Sequence, residues 1–157
     1  MKKIGLICAV IVASTLISAT PSFASNSSSI QSQIFSHINK DAKSDNDLRF
    51  KVKAKDKTLT IYSIEGFRTY EYMSSYYIDI LRALQKTNLN KYEILTINSE
   101  FDKFTFNTSD IKSLPLSDKS IKQLGYKNDD TNDPNYDDFI DEYLKNKAIN
   151  YQDKTNN

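Results

Sequence analysis

Between Gly66 and Thr87 the chain reads GFRTYEYMSSYYIDILRALQKT, in which Tyr70, Met73, Tyr77, Ile80, Leu81 and Leu84 recur at steps of three and four. That spacing lines one side of an α-helix. Gly66 punctuates its entry, and Thr87-Asn88 followed by Asn90 punctuates its exit. At about 1.5 Å per residue a helix over 67–86 spans roughly 30 Å, the width of a small domain. A rod with one apolar side needs a second layer to cover it, so the flanking segments are expected to form a sheet.

The flanks supply strands. Leu48, Phe50, Val52 and Ala54 alternate with Arg49, Lys51, Lys53 and Lys55, a period-two pattern with one apolar and one cationic face. Asp56-Lys57 turns the chain into Leu59-Thr60-Ile61-Tyr62-Ser63-Ile64, a second strand. Beyond the helix, KYEILTINS (Lys91 to Ser99) and KFTFNT (Lys103 to Thr108) read as another pair, turned by Glu100-Phe101-Asp102. Leu114-Pro115 ends the sheet region, since proline cannot donate to an interior ladder. Ser117 then caps a short helix through Leu124, stopped by Gly125.

The N-terminus carries an export pattern. Met1-Lys2-Lys3 is a positive n-region, Ile4 to Ile17 an apolar run, and Thr20 to Ala24 a small-x-small cleavage site. The run is shorter than the roughly 20 residues a spanning helix needs, so no membrane span is expected after cleavage at Ala24. Cys8, the sole cysteine, lies inside this segment. The exported chain would therefore be free of disulfides, thiol nucleophiles and cysteine-based metal sites, and a core must hold it together.

The expected organisation is a signal peptide (1–24), a flexible leader (25–29), an α+β domain (30–127), an acidic linker (128–133), a C-terminal amphipathic helix (134–150) and a disordered tail (151–157). Within the domain, Ile30, Ile34 and Ile38 mark a first helix over about Ile30 to Lys43, with Ser29 as its N-cap. Asp133-Pro134 opens the last helix, whose stripe is Tyr136, Phe139, Ile140, Tyr143 and Leu144. The fold class is α+β: a single small domain of about four largely antiparallel strands, in two hairpins packed on one long central helix, with short helices at either end.

Charge divides along the chain. From Ser25 to Lys127 there are 16 Lys and Arg against 12 Asp and Glu; from Asn128 onward there are 3 against 8. A balance so near zero gives no support to a dedicated nucleic-acid binder, and no nucleic acid is expected.

Catalytic constellations are thin. His37 is the only histidine, and no Gly-x-Ser-x-Gly elbow accompanies it. Glu65, Glu71, Asp79, Glu93, Glu100 and Asp102 are candidates for a glycosidase pair, yet no spacing marks two as partners, and there is no tryptophan on which a sugar could stack. The acidic run from Asp129 to Glu142 lacks the glycine of a calcium loop. No cofactor, metal ligand or catalytic residue is assigned. Binding candidates are Arg49, Lys51, Lys53, Lys55 and Tyr62, a cationic row suited to an anionic envelope polymer, together with Tyr72 and Tyr76, interface-type residues on the long helix. Lysines on a strand also discourage edge-to-edge pairing, the acidic C-terminal segment is a candidate to fold over the row, and the helix tyrosines equally suit a widened core face. The leading expectation is a secreted or cell-wall-associated, non-enzymatic binding module for a protein or an anionic polymer. The alternatives are a small secreted hydrolase using paired carboxylates and an inhibitor or immunity-type partner of another secreted protein.

Overall fold

The computed structural model describes residues 23–38, 50–63, 73–126 and 134–155. In chain order these form α1 (Phe23–His37), β1 (Phe50–Lys55), β2 (Thr58–Ser63), α2 (Met73–Lys86), β3 (Ile94–Asn98), β4 (Asp102–Asn107), the single turn α3 (Thr108–Ile111), α4 (Asp118–Gln123), α5 (Pro134–Lys147) and β5 (Asn150–Asp153). The class is α+β, as expected. The sheet corrects the expectation of four strands: five strands lie in the order β1-β2-β3-β4-β5, and β2 pairs with β3 in parallel. The mixed pairing follows from the crossover. A helix returns the chain to the end at which the preceding strand began, so the next strand runs alongside it in the same direction.

Strand alternation decides which face is buried. Phe50 and Val52, Leu59 and Ile61, Leu95 and Ile97, and Phe104 and Phe106 all point to one side and are nearly inaccessible. α2 packs there, with Ile80, Leu81, Ala83 and Leu84 fully buried and the Tyr77 ring edge-on to Phe104 at 5.1 Å. The expected central helix is thus present as the 14-residue α2; positions 67–72, including Tyr70 and Tyr72, lie outside the described residues. α2 buries more than the expected stripe, because α5 covers a second side of it. Ser74 Oγ donates to the Asp137 carbonyl at 3.0 Å, and Ile140 and Leu144 of α5 are fully buried.

Three boundaries differ from the sequence reading. α1 begins at Phe23, so Ser25–Ser29, expected as a flexible leader, are helical; its anchors Ile30, Ile34 and Ile38 are buried. Once anchored, a helix lengthens at one hydrogen bond per residue fixed. The expected continuation to Lys43, the signal segment 1–22 and the linker 128–133 lie outside the described residues. α5 stops at Lys147 rather than 150. Residues 150–153, mostly expected to be disordered, form β5, with the Ile149 N–H donating to the Thr105 carbonyl and the Lys154 N–H to the Phe101 carbonyl, both at 2.8 Å. The cap reading holds for α4: Ser117 Oγ accepts from the Ser120 N–H at 3.1 Å, and Gly125 takes φ +120° just past the helix end. Among the described residues no helix is long and apolar enough to cross a membrane.

Candidate functional site

The second face of the sheet carries the alternate residues. From β1 come Lys51, Lys53 and Lys55, all exposed. The register sets them beside Tyr62, Thr60 and Thr58 of β2, which in turn neighbour Asn98, Thr96 and Ile94 of β3. Lys103, Thr105 and Asn107 of β4 follow, then Gln152 and Asn150 of β5. Apart from Thr96 in the middle, these residues are half-buried or exposed. The face therefore displays hydroxyl, amide and ammonium groups, and none of its strand residues is a carboxylate. Lys154, just past β5, joins it by donating from Nζ to Asn98 Oδ1 at 2.5 Å.

Lys51, Lys53, Lys55 and Tyr62 thus stand together as the alternation implied. Lys53 Nζ lies 5.1 Å from the Tyr62 ring centroid, a cation–π contact that holds one ammonium over the sheet. Arg49 and Tyr72 lie outside the described residues. Tyr76 is a correction. It is 1% exposed, edge-on to Tyr77 at 5.8 Å, and belongs to the core rather than to a contact surface. The acidic C-terminal helix docks on α2, on the far side of the sheet, and does not fold over the lysine row. Sequence reasoning missed Lys103 and Lys154. Phe104 and Phe106 imply that Lys103 points away from the core, but only the strand order puts it on the same face as β1.

A buried polar cluster lies behind the sheet. Asp102 is 2% exposed. Its Oδ1 accepts from the Tyr151 hydroxyl at 2.7 Å and its Oδ2 from the Tyr77 hydroxyl at 3.2 Å, while its N–H donates to Ser99 Oγ at 2.9 Å. Burial pushes the Asp102 carboxyl above the usual carboxylate range, against the two hydroxyl bonds, which favour the ion. Burial likewise pushes the Tyr77 hydroxyl up, with the Asp102 charge adding to it. Tyr151 is raised by burial and by its bond to Asp102. Lys145 sits over the Tyr151 ring at 4.6 Å and bonds Asp141 at 2.5 Å, and this bond outweighs burial to keep the ammonium charged. The adjoining crevice, lined by Asp102, Asp137, Asp138 and Asp141, has a volume of about 10 Å³, room for a single water. Among the described residues no group of acidic or histidine side chains has the geometry of a metal site.

The remaining candidate acids are dispersed. Glu93 pairs with Lys57 at the surface, Asp79 lies 3.9 Å from Arg82, and Glu100 is exposed; Glu65 and Glu71 lie outside the described residues. His37 is exposed in the last turn of α1. A larger groove of about 250 Å³ opens between α1 and the loop after α2, lined by Ser29, Ile30, Gln33, Asn88, Asn90, Lys91 and Tyr92. It contains none of the candidate acids.

Comparison of this chain with family models, with curated proteins and with solved structures found no match.

Proposed function

We propose that this chain is an exported binding module without catalytic chemistry of its own, secreted or held at the cell wall, and that it engages an anionic envelope polymer through the lysine-bearing face of its sheet. The observation that carries this reading is the composition of that face: Lys51, Lys53, Lys55 and Lys103 among hydroxyls and amides, with no strand carboxylate to neutralise them. Several ammonium groups on one rigid surface raise the local concentration of a polyanion and bind it in a salt-dependent way. Cleavage after Ala24 suits the fold, because it removes only the first two residues of α1 and leaves Ile30, Ile34 and Ile38 to dock the helix.

The test is a charge reversal, Lys51→Glu with Lys53→Glu and Lys55→Glu, on the mature chain beginning at Ser25. Wild type is expected to sediment with envelope preparations at 50 mM salt and to be released as salt is raised, while the variant stays in solution. Equal retention of variant and wild type across the salt series would remove the polymer reading. Recovery of the product only inside the cells, with residues 1–24 still attached, would remove the export reading.

A further inference from the structure

The lysine face suits many anions, and the edge of the sheet narrows the choice. β1 is an edge strand, yet two backbone groups on its outer side are already engaged. Gln31 of α1 donates from Nε2 to the Phe50 carbonyl at 3.3 Å, and its Oε1 accepts from the Val52 N–H at 3.2 Å. One primary amide thus engages a carbonyl and an N–H that an added strand would otherwise take into its ladder. Both bonds are long, one at the end of the usual range and one just past it. The Gln31 side chain is half-buried, and α1 is anchored independently of it by Ile30 and Ile34.

The lysines fit the same geometry. Since Phe50 and Val52 turn their polar groups outward, Lys51 and Lys53 turn theirs toward β2. On the outer edge they therefore occupy the non-hydrogen-bonded positions, where the side chains of an added antiparallel strand approach closest. Their repeat along the strand, about 6.6–6.8 Å, equals the repeat of alternate side chains on any extended peptide.

We propose that the β1 edge receives an extended acidic peptide, which displaces the Gln31 amide, takes the Phe50 carbonyl and the Val52 N–H into its own ladder, and sets alternate Asp or Glu side chains against Lys51, Lys53 and Lys55. This rests on the reading of the lysine face as anion-binding and makes the partner a polypeptide. Other polyanions supply charge, but they lack an amide ladder in register with it. Strand addition to an exposed sheet edge is a general mode of peptide recognition.

The experiment uses the mature chain and an alternating Glu-Thr octapeptide, with polygalacturonate and an alternating Lys-Thr octapeptide as comparators. Binding is measured by calorimetry, and the Val52 amide is followed by NMR and hydrogen exchange. The acidic octapeptide is expected to bind and to shift and protect the Val52 amide, and the basic one to fail. Gln31→Ala, which removes the competitor, is expected to tighten binding about tenfold. A Lys51→Gln, Lys53→Gln, Lys55→Gln variant, altered only at exposed positions, asks the same question without touching α1 and is expected to lose at least tenfold. Polygalacturonate binding as tightly as the peptide, with the Val52 amide unmoved, would overturn strand addition and leave the anion-binding reading standing. Binding of neither would overturn both. Gln31→Ala that only self-associates would overturn the peptide in favour of a second copy of the chain.

Discussion

Replacing Tyr151 by phenylalanine isolates one hydrogen bond in the buried cluster. The ring keeps its place, packed on Phe104 at 5.0 Å and beneath the Lys145 ammonium. Only the hydroxyl is lost, the donor to Asp102 Oδ1 at 2.7 Å. At 2% exposure Asp102 is shielded from bulk water, and its other oxygen depends on the longer bond from Tyr77. A hydrogen bond to a charged group contributes about 1.5–3 kcal/mol, so a loss of about 2 kcal/mol is expected at neutral pH. The sign of the pH dependence follows from Asp102. Its folded pKa lies above the ordinary value, so its contribution to stability is fully present below the ordinary carboxyl pKa and is lost as pH rises through the raised one. Removing the Tyr151 bond, which favours the ion, raises that pKa further. The gap between variant and wild type should therefore widen from pH 3 to pH 7. Urea unfolding followed by far-UV circular dichroism reads this as a midpoint lowered by about 1 M at pH 7 and by less in acid. Addition of Asp102→Asn should remove most of the effect, since an amide does not require the same donor. A loss below about 0.5 kcal/mol at pH 7, or a gap that shrinks toward neutrality, would refute the reasoning.

Three further outcomes are expected. Ile97→Ala, at a fully buried position on β3, should cost about 3 kcal/mol in urea unfolding through the cavity it leaves. Ser117→Ala removes the acceptor for the Ser120 N–H at the start of α4 and should cost about 1 kcal/mol by the same measurement, without changing the far-UV spectrum. Alkaline titration followed at 295 nm should show Tyr77 and Tyr151 resisting ionisation. Because their folded pKa values are raised, stability should fall once pH passes the free tyrosine value of about 10, where the unfolded chain releases protons that the native one keeps.

Local signals carried much of this fold. Alternation in FKVKAK wrote both faces of β1, and the pair Ser117 and Gly125 marked both ends of α4. What the sequence hid depends on long-range pairing. β5 is NYQD, polar and short, and it is held by backbone bonds to β4 and by one ring on Phe104, so no apolar period announces it. Tyr76 follows Tyr72 by four residues in the sequence and looks like an interface residue until α1 and α5 are both known to pack on α2. The lysine-bearing face was half legible: three of its lysines lie on one strand, while Lys103 and Lys154 join them only through the order of the sheet.

That order also explains how a chain with a formal net charge of +1 acquires a strongly cationic surface. The acids of the C-terminal segment, Asp137, Asp138, Asp141 and Glu142, ride on α5, which packs on α2 behind the sheet. β5 then carries the chain back to β4, the strand farthest from β1 in this order apart from β5 itself. The sheet thus lies between the acidic helix layer and the lysines. Net charge sums the two layers and cancels them, whereas a ligand on the open face meets only the nearer one, because salt screens beyond a Debye length of about 8 Å. The acids stand on the far side of the sheet and of the helix layer, and their field reaches the open face mainly through solvent, where salt weakens it. Near-neutral composition therefore argues against a uniformly basic protein but does not argue against a one-sided one.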